Sequence, residues 1–409
     1  MRVPAFVICL GLLLVDVASA ADSLNVRLIG HCETPGHALS VAVSGNYAYV
    51  VDMDSGLRFI SIADPAHPFE VGHYATQKEA DGVFVRAGYA YVTEWPSGLE
   101  IISVADPAHP TEVGYYETPD WASSLRVDGN YAYIAEHDSG LGVISVADPA
   151  HPVEVGHCAT LNIAIGVDVV GDYAYVADYD SGLVIISVAD PAHPVEVGYI
   201  NPPGWACDVV VSGEYAYVTE SGANALRVIS IADPAHPVDV GHCYAAGATG
   251  VVLGDGLAYV AGVADGIRVV SVADPANPTE VGHYRWPSGD SCQVQGVTTD
   301  SDYVYAACFY RGLQICHYYG SGVEETPSSE VQIAIRIATF VRGVLMLPAN
   351  GEGRKATGVL LDAMGRKVLD LQPGGNDVSG LRTGVYFVRG EPQAASPKPQ
   401  ATYKVMITR

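Results

Sequence analysis

The sequence predicts an all-β protein: a seven-bladed β-propeller closed by its N-terminal strand, plus a small C-terminal Ig-like β-sandwich. Three observations carry this reading. Asp-Pro-Ala-His-Pro recurs at Asp64, Asp106, Asp148, Asp190 and Asp233, with Asp274-Pro275-Ala276-Asn277-Pro278 as a sixth variant, in steps of 41 to 43 residues. A second marker, Tyr-Ala-Tyr-Val or a close variant, starts at Tyr47, Tyr89, Tyr131, Tyr173, Tyr215, Leu257 and Tyr303, seven copies in all. A period near 42 residues suits one four-stranded blade. The composition agrees: Gly 44, Pro 25 and Tyr 25 in 409 residues favour strands and turns over helices.

Residues 1–20 read as a signal peptide. Arg2 supplies a positive start, Ala5 to Val15 is apolar, and Ala18-Ser19-Ala20 has the small-x-small form of a cleavage site. The run is too short to span a bilayer, so the mature chain is expected to be exported without an integral membrane segment.

The propeller is assigned to residues 21–320. Leu39 to Val43 alternates with period two and meets a turn at Ser44-Gly45-Asn46. Tyr47 to Val51 is a second strand, Leu57 to Ile62 a third, and Phe69 to Tyr74 a fourth, with Asp64-Pro65-Ala66-His67-Pro68 between the last two. Such small sheets bury their faces only against copies of themselves, so they must form an array. The seventh unit, Gln293 to His317, supplies three strands. Val26 to Cys32 matches the missing fourth and is expected to close the ring, which removes exposed sheet edges.

Gly182 to Gly198 (Gly-Leu-Val-Ile-Ile-Ser-Val-Ala-Asp-Pro-Ala-His-Pro-Val-Glu-Val-Gly) resembles the LVIVD-repeat proteins. Ser187 stands where that family commonly has Asp. The resemblance covers about residues 24–318 and implies a secreted or surface propeller; it assigns no catalytic residue.

Residues 321–330 form a Gly/Ser/Glu/Pro-rich linker, and the charge changes sign there. Residues 21–322 hold 9 Lys+Arg and 37 Asp+Glu, whereas from Val323 onward there are 11 and 8. Residues 331–409 show strand-like runs at Val331–Ile337, Val344–Leu347, Gly358–Leu361, Val368–Leu371, Val385–Val388 and Lys404–Thr408, read as the sandwich. Leu361 to Val368, Asp377 to Leu381 with Gly384 to Val388, and the terminal Lys404 to Arg409 resemble the type A sorting domain of the type IX secretion system. Leu347-Pro348-Ala349-Asn350 replaces the Pro-Asn-Pro that often starts that domain. The resemblance implies that residues 331–409 engage the secretion machinery at a bacterial outer membrane.

The net charge of -25 disfavours nucleic acid and anionic membrane surfaces as partners. No His-Glu-x-x-His, Gly-x-Ser-x-Gly or P-loop is present. Ten of 13 His recur once per unit and cannot converge on one ion. Cys32, Cys158 and Cys243 hold one repeat position and so lie too far apart to pair, while Cys207, Cys292, Cys308 and Cys316 lack metal-ligand spacing; all seven are expected to be small buried hydrophobes.

A propeller places its second-to-third-strand turns and its interblade links on one face. Trp95 falls in such a turn, and Trp121, Trp205 and Trp286 fall in links. His37, Glu94, Glu136 and His137 share that face. The units agree on the opposite face and differ on this one, which makes it the candidate surface for an extracellular protein or glycan. The other reading is an extracellular hydrolase or lyase using an acid pair built on Glu94 or Glu136, assisted by His137. Asp52, Asp54, Asp178 and Asp180 lie in Asp-x-Asp-Ser-Gly turns and are weak calcium candidates, since a hairpin turn explains the same residues.

Overall fold

The computed structural model describes residues 22–320, apart from 264 and 288–291, and the backbone of seven strands between 339 and 407. The chain divides into two compact units, residues Met1–Val323 and Glu324–Arg409.

The first unit is a ring of seven antiparallel sheets. Blade 1 runs Ala38–Tyr74, blade 2 Glu79–Tyr116, blade 3 Ser124–Cys158, blade 4 Gly166–Ile200, blade 5 Ala206–Tyr244 and blade 6 Ala248–Arg285. Blade 7 joins Val294–Thr299, Val304–Cys308 and Gly312–Tyr318 to the N-terminal strand Val26–Cys32. Leu28 pairs with Cys316 and Cys32 with Leu313, so the two ends of the array are hydrogen-bonded together. Among the described residues no helix is long and apolar enough to cross a membrane.

Burial peaks in the middle of each blade, and the first strand Ala38–Ser44 is mostly half-buried. The second strand Tyr47–Asp52 and third strand Leu57–Ser61 are buried on both faces, because each blade is covered by a neighbour on either side. The outermost strand Phe69–Tyr74 is largely exposed. Each interface between successive blades holds its own apolar cluster. Val143 and Tyr133 of blade 3, for example, pack against Val167, Val176 and Ile186 of blade 4. At the seam, Tyr305 and Ile315 of blade 7 meet Val41, Val50 and Ile60 of blade 1.

The repeated turn has a defined internal structure. Asp64 Oδ1 accepts the Ala66 N–H at 3.1 Å, and His67 Nδ1 lies 3.0 Å from Asp64 Oδ2. In the sixth copy Asn277 Nδ2 donates to Asp274 Oδ2 at 2.9 Å. An amide nitrogen can only donate, so the His at this position acts as a donor too. The outermost strand bulges just before its Gly, as at Glu112/Gly114. That Gly receives the turn of the following blade: a Cβ at Gly30, Gly72, Gly114, Gly156 or Gly198 would lie 2.1 to 2.2 Å from the backbone oxygen of Pro65, Pro107, Pro149, Pro191 or Pro234. The Asp-Pro and Val-Gly motifs are therefore two halves of one blade-to-blade joint.

Blade 7 has no such turn to offer to Gly282 of blade 6. There the space is occupied by Leu24 O and the Tyr318 ring. Asp22–Leu24 adds to blade 6 as a fifth strand, with Asp22 opposite Arg285 and Leu24 opposite His283. The sequence reading did not anticipate this strand.

The expectation of small buried cysteines is corrected: Cys292 and Cys308 form a disulfide. Cys32, Cys158 and Cys243 on outermost strands and Cys207 on the first strand of blade 5 are only half-buried, because those strands are partly exposed. Cys32, Cys158, Cys207, Cys243 and Cys316 are free.

In the second unit the backbone forms a three-stranded sheet (Thr339–Val341, Val344–Leu347, Gly374–Asp377) and a four-stranded sheet in the order Lys367–Leu371, Gly358–Leu361, Gly384–Gly390, Thr402–Ile407. The expected signal peptide, the expected 321–330 linker and the run Val331–Ile337 lie outside the described residues, as do the side chains on which a sandwich core would rest.

Candidate binding face

The residue five positions after the start of each Tyr-Ala-Tyr-Val marker organises the face that carries the links. In blades 1 to 5 it is Asp52, Glu94, Glu136, Asp178 and Glu220, all fully buried. Asp52 accepts the Thr34 hydroxyl at 2.6 Å and the Gly36 N–H at 2.8 Å. Asp178 does the same with Thr160 at 2.6 Å and the Asn162 N–H at 3.0 Å. Glu94 accepts the Lys78 N–H at 3.1 Å. Asp52, Glu94 and Asp178 thus staple the incoming link to its blade. In blade 7 the position is Cys308, and the disulfide to Cys292 makes the same staple covalent.

The oxygens of Asp52 and Asp178 are occupied by link donors, and their partners in the motif, Asp54 and Asp180, are exposed. Among the described residues no group of three or more His, Cys, Asp or Glu could hold a metal ion.

A second position varies in a telling way. Arg58, Arg227 and Arg268, on the third strands of blades 1, 5 and 6, each bridge two acids of their own blade. Blade 2 has Glu100 there and blade 3 has Gly142, while the acids remain. Glu94 therefore faces Glu100, and burial raises both carboxyls above their usual range. Glu136 folds over Gly142, and both its oxygens are buried without a partner. Burial, then the charges of Glu154 and Asp120, push it up to about 8. The neighbour that Glu94 meets in blade 2 is thus Glu100, and both members are sealed from solvent. His137 stacks on Trp121 rather than meeting Glu136, and burial lowers its pKa.

The residue after the acid projects from a left-handed backbone in blades 1, 3 and 4: Met53 at φ 29°, His137 at 37° and Tyr179 at 41°. Large side chains seldom accept that conformation. Here they serve as platforms. His137 lies 3.9 Å from Trp121, ring to ring and stacked, and Tyr179 stacks on Trp205 at 5.3 Å. Trp121 in turn meets Trp95 edge to face at 6.5 Å and donates its indole N–H to Asp81 at 2.8 Å. Met53, Trp95 and Trp121, with Leu39, Glu79, Ala80 and Asp81, line a cavity of about 220 Å³.

The predicted residues thus separate into four clusters. Trp95, Trp121 and His137 lie together, and Trp205 sits apart with Tyr179. His37 stacks on Phe309 at 4.4 Å beside Tyr310. Trp286 packs against Tyr284 and the apolar cluster between blades 6 and 7, so its role there is largely that of a plug. Trp95 and Trp205 are 45% and 46% exposed and remain open to a ligand. Met53 was not singled out by the sequence. Its equivalence to His137 and Tyr179 becomes visible only when the units are superposed.

A family profile described as LVIVD repeat matches residues 35–76, 78–118, 121–160, 163–201, 203–244 and 246–285. The chain belongs to the LVIVD-repeat family. Each matched LVIVD repeat is one interblade link followed by one blade, and the composite blade 7 lies outside the six matched segments. Solved structures support the architecture. The computationally designed Ika8 protein is 8% identical, with 71% of this chain and 99% of that chain covered and a TM-score of 0.52. The β-propeller domain of Cps50 (Swd1) from Myceliophteria thermophila is 9% identical over 71% and 99% of the two chains, with a TM-score of 0.58. At such identities the likeness is one of fold. No curated protein matches the chain.

Proposed function

We propose that this LVIVD-repeat chain is an exported, non-catalytic binding protein that captures an extracellular protein or glycan on its link-bearing face. The observation that supports the reading most is the pair of solvent-open indoles, Trp95 and Trp205, each backed by a second aromatic ring and set among acids. A rigid indole offers a large apolar contact at little entropic cost, as binding surfaces require. The paired carboxyls Glu94 and Glu100 hold a link in place and lie out of a solute's reach, which favours binding over hydrolysis.

Export is part of the proposal. The apolar segment of residues 1–20 would direct the chain out of the cytoplasm, and residues 331–409 would act as a type IX sorting domain that delivers the propeller to the secreted or cell-surface pool. The Cys292–Cys308 disulfide suits an oxidising compartment.

The test of binding is glycan profiling and pull-down with the full propeller, comparing wild type with Trp95→Ala and Trp205→Ala. Loss of a captured ligand on either substitution supports the reading, and capture indifferent to both overturns it. Export is tested by deleting residues 331–409: retention of the propeller inside the cell envelope is expected, and undiminished release would refute the sorting role.

A further inference from the structure

The cavity between blades 1, 2 and 3 has a chemistry that the neighbouring clusters lack. Two indoles, the Met53 thioether, Leu39 and Ala80 supply carbon, and the carboxyls of Glu79 and Asp81 line the same space; burial pushes Asp81 up to about 7, and a bound cation would hold it ionised. No Lys or Arg lines it. Lys78, the nearest cation along the chain, is committed elsewhere: its ammonium donates to Ser97 O at 2.8 Å and to Glu117 at 2.7 Å.

The walls are held in place before any ligand arrives. Trp121 is clamped between the His137 ring on one side and the Trp95 edge-to-face contact on the other. Its indole N–H is fixed on Asp81 Oδ2, which leaves Oδ1 for a ligand. At about 220 Å³ the cavity holds several waters of about 30 Å³ each, or one small head group.

Aromatic faces attract cations through their quadrupole, most strongly when the cation is easily stripped of water. A carbon-lined cavity replaces few of the hydrogen bonds that a primary ammonium loses on leaving water. It suits a weakly hydrated cation better. We propose that this cavity binds the head of a weakly hydrated organic cation, a guanidinium or quaternary ammonium, between Trp95 and Trp121, with Asp81 and Glu79 as counter-charges. The assignment rests on the binding role proposed for this face and names the ligand chemistry of one part of it. The negative charge of the whole propeller draws cations toward that cavity.

The test is titration of the propeller with tetramethylammonium, N-acetylarginine amide, neutral tert-butanol and sodium chloride at matched ionic strength, followed by tryptophan fluorescence. Saturable quenching by either organic cation, at least about tenfold tighter than by tert-butanol, is expected, and comparison of the two cations tells a quaternary ammonium from a guanidinium. Asp81→Asn keeps an acceptor for the indole and so keeps the wall in place; it should weaken the cation about tenfold, and Val195→Ala, exposed on the outermost strand of blade 4, should leave it unchanged. Equal response to tert-butanol, or no saturation by either cation, overturns the assignment. If cations fail while Trp95- or Trp205-dependent capture of a protein or glycan persists, only the cation assignment falls. If capture fails as well, the binding role falls with it.

Discussion

The backbone oxygen of Pro107 occupies the space beside Gly72 where any side chain would begin, 2.2 Å from an ideal Cβ. Blade 2 thus docks on blade 1 through a contact that only glycine permits. The atom in the way is backbone, held in a turn closed by Asp106 and His109, so it cannot swing aside. Gly72→Ala should therefore force the two blades apart and cost about 1–3 kcal/mol, read as a lower urea midpoint. Gly72 has an exact functional copy in Gly156, where the Pro191 oxygen lies 2.1 Å away, and Gly156→Ala should behave alike. An unchanged midpoint in both variants would show that the joint carries no stability.

The turn itself offers a milder test. Asn277 already fills the His position in the sixth copy and makes the equivalent bond to Asp274. His109→Asn should leave the midpoint near wild type, whereas His109→Ala should lower it, because only the first retains a donor for Asp106. Equal loss in the two variants would mean that the imidazole contributes something other than that bond.

Glu136 makes stability depend on pH in an unusual sense. Its folded carboxyl keeps its proton up to about 8, while in the unfolded chain it releases it near the ordinary value of about 4.3. Between those values the unfolded state binds fewer protons, so stability falls as pH rises, by something on the order of 5 kcal/mol for this group across the window. Glu136→Gln removes the titration. Its stability advantage over wild type should grow from about pH 5 to pH 8 and then level off. A constant difference across that range would place the carboxyl in an ordinary environment.

The Cys292–Cys308 disulfide closes the blade nearest the seam, over a separation of 16 residues. A loop of that size corresponds to about 3 kcal/mol of chain entropy. Reduction, or Cys308→Ser, should lower the thermal midpoint and expose amides of the Val26–Cys32 strand to hydrogen exchange ahead of blades 3 and 4. Uniform exchange across all blades would separate the disulfide from the seam.

Markers spaced by local turn chemistry made much of this architecture legible in one dimension. Tyr47-Ala48-Tyr49-Val50 and its copies count the blades, and the unpaired unit at Gln293 to His317 points to Val26–Cys32 as its missing strand. The link-bearing face was legible too, because ring topology sends every link to the same side. The finer arrangement of that face was not. The aromatic residues form separate clusters, Trp286 is taken into an apolar interface, and Glu94 pairs with a residue of its own blade.

Within each blade, then, the amino-acid order alone determined strands and turns, since these follow from alternation, glycine and proline over a few neighbouring residues, and the count of units pointed to closure. Only the tertiary structure decided what happens between blades: the Gly72–Pro107 joint, the fifth strand at Asp22–Leu24 that stands in for an absent turn, and the cavity walled by Met53, Trp95 and Trp121. The physical reason is distance along the chain. Those contacts join residues roughly one repeat or more apart, and their geometry is set by how a ring of twisted sheets packs rather than by any local preference.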